Sequence, residues 1–479
     1  MSLHITDDAL DEISSQASKL VAEYFAHIAE RPVMAPNHAG KTKSLVNVEL
    51  PLEGRPLEQL LDECRTVMDL SRHNGHPRFF GYVASPSTPI GAYADLIASA
   101  LNANITCWRS GPAGTEIEQL GVRWLGSLIG YDDDAKGLLT SGGSMANMIA
   151  LLIASRRNNP EASRKGLWNA GPPMTIYASE EVHMSIPKAA DVLGFGRENV
   201  RTVACDSERK MRVEELRYRI KQDQLDGFRP VCVVASAGTV NTGAIDPLDQ
   251  IAVVARDNNI WFHVDGAYGA PGAMDQTKKH LFAGLERADS VSLDPHKWLY
   301  VPVDAGCLLF RDTAAAAIFT EDAAYIQTHG LADDAAFAYW DYGVELSRRF
   351  RALKVWLTLG YYGARKIAEA VSKDIALAAY FGELVSNADD FELLAPVELS
   401  ICCFRYVPSH LKGNDDELNR LNEQIMAAVQ KGGRAYLSNA TVNGKFALRA
   451  CITNFRTTKA DIDQTVEVVR DAATKLSHG

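Results

Sequence analysis

From residue 137 onward the chain sets short apolar and β-branched runs between longer stretches of helical spacing. The runs are 137–140, TIYAS at 175–179, VCVVAS at 231–236, IWFHVD at 260–265, VSLD at 291–294 and GCLLF at 306–310. Runs of this kind, separated by helices, are strands buried on both faces, and they predict a mostly parallel sheet with helices covering it. In such α/β sheets ligands bind beyond the carboxyl ends of the strands. Residues able to do chemistry stand at those ends: the Ser141-Gly142-Gly143-Ser144 turn, His183, Thr239, Asp265, Asp294 and Lys297.

The flanking segments read differently. Ile13, Leu20, Val21, Phe25 and Ile28 give one apolar face to a first helix over about 7–30, and a second amphipathic helix spans about 56–71. RPVMAPNHAGKTKSL between them is rich in Pro, Gly and Lys and reads as an extended linker. His73 and His76 have no carboxylate or thiol near them in sequence and read as part of a turn. After about residue 350 a long helical stretch is followed by strands in ELSICCFRYV and KFALRACIT, with helices at about 415–430 and 458–476. The expected division is a helical N-terminal arm or cap (1–88), a large domain (89–354) and a smaller α+β C-terminal domain (355–479).

Charge and cysteine usage narrow the function. Lys and Arg total 49 against 60 Asp and Glu, a net charge of −11, with no basic stripe, which argues against a nucleic-acid partner. The N-terminus lacks a positive segment followed by an apolar one, and no apolar run reaches the length of a bilayer span, so a cytoplasmic protein without a membrane partner is expected. The 8 cysteines are scattered without CxxC spacing, so buried thiols are expected rather than disulfides or a metal site.

Lys297 lies between His296 and Trp298, just past a strand and Pro295. An exposed lysine has a pKa near about 10.4. One desolvated at a strand end shifts toward the neutral amine, which attacks carbonyls and forms Schiff bases; the alternative is a lysine whose stem merely covers apolar surface. Gly142 and Gly143 open a helix and let backbone N–H groups approach an anion such as a phosphate, although a capped glycine turn looks the same. Asp265 ends an apolar strand and needs a cationic partner, either a protonated pyridine nitrogen or a core cation. His263 shares its face and reads as a supporting or core histidine. His183 suits stacking or proton transfer, or a polar surface position. Thr239 suits a hydrogen bond to a cofactor or simple turn chemistry. A phosphate cradle, a buried acid, an imidazole and a lysine nucleophile together are the parts that hold pyridoxal phosphate (PLP).

Over nearly its whole length the sequence resembles the group II PLP-dependent amino-acid decarboxylases, closest to the aromatic L-amino-acid decarboxylase branch. The resemblance runs through HPRFFGYVASPS, GPAGTEIE, SEEVHMS, HVDGAYG, DPHKW, LSRRFRALKVW and KFALRACIT, and is most specific in DPHKW and LSRRFRALK. It implies the PLP-dependent transferase fold (fold type I) and a homodimer with active sites at the interface, the N-terminal arm (1–88) serving dimerisation. It also implies that Lys297 forms the Schiff base, Asp265 pairs with the pyridine nitrogen, and His183 stacks on the ring. Gly143 and Ser144 would hold the phosphate together with Asp294, which stands where asparagine is usual, so that its contact with the phosphate runs through water or is absent. His296 would position substrate and phosphate. Tyr325 matches the tyrosine of a mobile loop that protonates the product and reaches into the neighbouring subunit's site. Aldehyde synthases of the same fold usually carry phenylalanine there, so Tyr325 favours simple decarboxylation.

Phe80, Tyr82 and Trp108 are expected to line an aromatic pocket for tyrosine, dopa, tryptophan or phenylalanine. Thr106, however, replaces a usual aromatic residue and Arg109 a usual small one, so an acidic substrate such as aspartate or glutamate stays open. An aldehyde synthase or an aminotransferase on the same fold remains a further alternative, as does a scaffold that has lost activity.

Overall fold

The computed structural model describes residues 3–35, 39–47, 49–169, 171–320 and 337–477. The apolar runs form a seven-stranded sheet from β1 (Lys136–Thr140), β2 (Met174–Ser179), β3 (Val200–Val203), β4 (Arg229–Ser236), β5 (Trp261–Asp265), β6 (Ser290–Leu293) and β7 (Gly306–Phe310), in the spatial order β1-β7-β6-β5-β4-β2-β3. β7 alone runs against its neighbours β1 and β6, so the sheet is mostly parallel, as the spacing of helices between strands requires. β2, β5, β6 and β7 are buried at every position, which explains why they read as unbroken apolar runs rather than alternating ones.

Helix Gly143–Asn158 packs across β4 to β7 through Ala146, Ile149, Ala150, Ile153 and Ala154. Its small and apolar residues let it sit close to the sheet, with its N-terminus at the sheet's carboxyl edge. A second, antiparallel sheet of β8 (Phe391–Leu393), β9 (Ile401–Tyr406), β10 (Ser438–Val442) and β11 (Lys445–Cys451), in the order β10-β11-β9-β8, is covered by helices Asp415–Gly432 and Lys459–Ser477. The helix Ala352–Ser386, bent at Gly363 where φ is +75°, packs against elements of both sheets' layers.

Two expectations need correction. The stretch expected to be an extended linker contains a helix, Ala39–Val46, which runs through Gly40; the Pro residues lie outside it, and Ala, Lys and Leu are its good helix formers. Among the cysteines, Cys64 is exposed and Cys205 half-buried, while the other six are buried and free. His73 and His76 lie in a turn, as read, with His76 N–H donating to the His73 carbonyl. No helix of the described residues is long and apolar enough to cross a membrane.

Candidate active site

A cavity of about 280 Å³ opens at the carboxyl edge of the large sheet, lined by the 141–145 turn, Asn147, Glu181, His183, Thr239, Asp265, Asp294, His296 and Lys297 among others. Each reaches it from a different strand end: β1 leads into the turn, β2 precedes His183, β4 precedes Thr239, β5 ends at Asp265, and β6 runs into Asp294. The parallel sheet thus gathers residues that are far apart in sequence.

Asp265 is the best-supported group. Asn147 Nδ2 donates to its Oδ2 at 2.8 Å, while Ser292 Oγ and the Ala267 N–H donate to Oδ1, each at 3.1 Å. Burial by itself raises the carboxyl's pKa, but the Lys297 charge, together with the Asn147 bond, outweighs it and holds the group below the usual carboxylate range. Asn147 organises the layer beneath. Because its Nδ2 donates to both Asp265 and Ser185 Oγ, its Oδ1 accepts from His263 Nε2 at 2.9 Å. His263 Nδ1 then accepts a hydrogen bond from the Ser290 hydroxyl at 2.9 Å, and Ser290 Oγ accepts from Trp261 Nε1 at 2.8 Å. This chain of donors needs a neutral His263, and burial pushes its pKa down to about 4 against the opposing pull of Asp265. His263 is therefore the supporting histidine expected from strand alternation. Asn147 was not singled out in the sequence, although a lone amide inside MANMIALLIA, four residues after Gly143, was a usable signal.

His183 is half-buried and its Nδ1 accepts from the Ser185 N–H at 3.2 Å and faces Ser185 Oγ at 2.8 Å. Burial, the first cause, and the Lys297 charge lower its pKa, leaving a neutral ring. Thr239 lines the cavity and also serves its turn, its Oγ1 accepting from the Ala244 N–H at 3.2 Å and lying 3.1 Å from Thr242 Oγ1.

Lys297 departs from the expectation of a neutral amine. Burial does pull its pKa down, but the Asp294 carboxylate at 2.9 Å, with help from Asp265, raises it overall, so the side chain is an ammonium. Asp294, expected to lie toward the phosphate or to point elsewhere, points at Lys297, with His296 Nε2 at 3.8 Å. His296 is fixed from its other nitrogen, Nδ1 accepting from the Ala305 N–H at 3.1 Å. Trp298 stacks on the cavity residue Tyr268, ring centroids 5.4 Å apart and 17° from parallel, and Tyr268 OH meets Ser400 Oγ at 2.5 Å.

The expected substrate wall does not form within the single chain. Phe80 is fully buried in the core of the smaller sheet against Phe381, 6.5 Å between centroids, because its strand-like segment turns that side chain away from the cavity. Tyr82 is 52% exposed and packs on Tyr436 and the Arg72 guanidinium. Trp108 Nε1 donates to Glu116 at 3.0 Å, and Arg109 is exposed; none of the four lines the cavity. Tyr325 lies outside the described residues. Arg449 was also missed by sequence reasoning. It is 2% exposed, donates to the backbone of Val240 and Tyr82, and has Nη2 without a partner, next to the cavity residue Val240.

The residues fit pyridoxal phosphate. Helix Gly143–Asn158 starts at Gly142 without a side-chain cap, so its first N–H groups stay available to an anion. A Cβ on Gly143 would come within 2.9 Å of both Ala267 Cβ and Asp294 Oδ2, so glycine keeps this cradle open. Asp294, whose Oδ2 lies 2.9 Å from the Cβ position of Gly143, is of the wrong sign for a phosphate. A cradle, an ionised buried acid and a lysine at the carboxyl edge of this sheet define a PLP-dependent enzyme of fold type I.

A family model described as the pyridoxal-dependent decarboxylase conserved domain matches residues 39–407. The chain is 33% identical over 479 residues to an aromatic-L-amino-acid decarboxylase of Bacillus atrophaeus, covering 99% of this chain and 98% of that one. It is 34% identical over 384 residues to a cysteine sulfinic acid decarboxylase of Mus musculus, covering 78% and 76%. A crystal structure of Oryza sativa TDC with PLP and tryptamine superposes with a TM-score of 0.91 at 26% identity, over 99% of this chain and 100% of that one. The chain belongs to the pyridoxal-dependent decarboxylase family, and it is a PLP-dependent amino-acid decarboxylase.

Proposed function

We propose that the chain decarboxylates an aromatic L-amino acid to its amine. The observation that carries this reading is the cation content of the cavity wall: among the described residues, and apart from histidines, Lys297 is the only basic side chain lining it, and Asp294 already pairs with that. An acidic substrate side chain would need a free cation there, and Arg109, the sequence's candidate, lies outside the wall. The full-length likeness to an aromatic decarboxylase supports the same choice.

Bound pyridoxal phosphate supplies an electron sink for the pair left behind when the α-carboxylate departs. Lys297 is the amine that anchors the cofactor. Asp265, kept ionised by its donors, is suited to hold a proton on the ring nitrogen, and neutral His183 offers a flat face beside it. Gly143 and Ser144 are suited to the phosphate, with Thr239 and His296 at the flanks. Tyr325 is the proposed proton donor to the product carbon. A homodimer accords with the apolar side chains that helix Pro89–Leu101 leaves exposed, Leu96, Ile97 and Leu101.

The unpartnered Nη2 of Arg449 favours a second reading, an acidic substrate or a contact to the α-carboxylate. A panel of amino acids scored for carbon dioxide and amine decides between them. Release from aromatic substrates alone supports the proposal, and release from acidic ones alone overturns it. Ammonia and aldehyde would indicate a synthase instead, and a keto acid an aminotransferase. Wild-type turnover by Lys297→Ala would remove the lysine from the chemistry.

A further inference from the structure

The cavity contains a carboxylate that a cradle for a phosphate has no evident use for. Asp294 is 2% exposed, yet its Oδ1 has no hydrogen-bond partner, an uncommon and costly state for a buried charged group. Its Oδ2 holds the Lys297 ammonium at 2.9 Å and stands 2.9 Å from the Cβ position of Gly143, the first residue of helix Gly143–Asn158. The carboxylate therefore lies against the positive end of a helix with no side-chain cap, where an anion is favoured. Two of its polar neighbours are committed elsewhere: His296 Nδ1 to Ala305, and Asp265 to its own three donors.

We propose that Asp294 is the resident anion of this cradle, holding Lys297 in place before the cofactor arrives and opposing entry of the cofactor's phosphate. The proposal rests on reading the 141–144 turn as the phosphate site. Two anions against one helix end repel each other in a cavity poorly screened by water. Affinity for the cofactor is then lower than the cradle's own donors would give, and Lys297 is already aimed. Cofactor exchange becomes a property built into this chain.

The test titrates cofactor-stripped protein with inorganic phosphate by calorimetry, as wild type, Asp294→Asn, Asp294→Ser and Gly143→Ala. Loss of visible absorbance from loaded protein on dilution gives the release rate in parallel. Both residue-294 variants should bind phosphate tenfold or more tightly than wild type and release cofactor more slowly, while Gly143→Ala loses phosphate binding. Equal phosphate affinity in wild type and both residue-294 variants, with Gly143→Ala still defective, overturns the proposal and leaves the cradle standing. Weaker binding by the residue-294 variants, or failure of both to fold, makes Asp294 a support of the structure and also overturns it. Phosphate binding by no form at all overturns the reading of the cradle itself.

Discussion

Tyr300 OH donates to Asp374 Oδ2 at 2.8 Å, and Trp298 Nε1 donates to the same oxygen at 3.0 Å. One carboxylate on helix Ala352–Ser386 thereby grips the segment carrying Lys297 just beyond the lysine. Burial is the main influence on Asp374 and lifts its pKa from an ordinary 3.8 to about 7, although its two donors and Lys373 pull the other way. The folded protein keeps a proton between about pH 4 and 7 that the unfolded chain releases. Stability from this group is therefore full below pH 4 and is lost as pH rises through about 7. Asparagine at 374 does not titrate, so relative to wild type Asp374→Asn gains about 1.4 kcal/mol per pH unit inside that window. Urea unfolding of both proteins at pH 5, 6.5 and 8 measures the gap, and a gap independent of pH would show that Asp374 does not titrate there.

Asn147→Leu should be costly despite its similar size. It removes a donor from Asp265 and from Ser185 and leaves His263 Nε2–H without an acceptor. Each buried polar group left unpaired costs about 1–3 kcal/mol. The expected result is a clear drop in unfolding free energy together with weaker retention of the cofactor, seen by its absorbance. A variant with wild-type stability and colour would mean that the network relaxes around the loss.

Glu118→Gln tests a different support. Arg348 and Glu118 are 2% and 0% exposed at their side chains and meet at 2.5 Å. Glu118 also accepts the Leu139 N–H at 2.8 Å, while Arg348 donates to the Leu139 carbonyl at 2.8 Å, so the pair fixes β1 just before the cradle. Leaving the guanidinium unpaired in the interior should destabilise the fold by about 3–5 kcal/mol. Denaturant unfolding reads this directly, and a loss under about 1 kcal/mol would show that the Leu139 and Ile105 carbonyls suffice to hold the guanidinium.

The sheet was legible because its strands carry their signal in composition. GCLLF is β7 residue for residue, and VCVVAS and TIYAS fall within β4 and β2. β3 escaped because it is an edge strand with half-exposed and exposed positions, and β8 because three residues carry no periodicity. In the site, Asp265 and Lys297 were visible as polar residues closing apolar strands. The charge state of Lys297 was not, since it depends on where Asp294 turns its carboxylate. That Phe80 lies in the core of the smaller sheet, outside the single chain's cavity, could not be read either, because two aromatic neighbours, Phe79 and Phe80, give no sign of which face each takes.

The antiparallel course of β7 bears on how this enzyme can change over time. Because β7 returns beside β6 in the register Leu293↔Cys307, the lysine sits in a closed loop with both ends held in the sheet and His296 N–H bonded to the Ala305 carbonyl across it. The parallel connections elsewhere pass over the faces through helices and loops, where added residues can be absorbed on the surface. The lysine loop reaches the surface at Val303, which is 72% exposed, while the stretch around Lys297 is tied down on both sides. An insertion in that tied stretch would move Lys297 itself, so changes in the cavity are accommodated more easily in walls borne on the other connections.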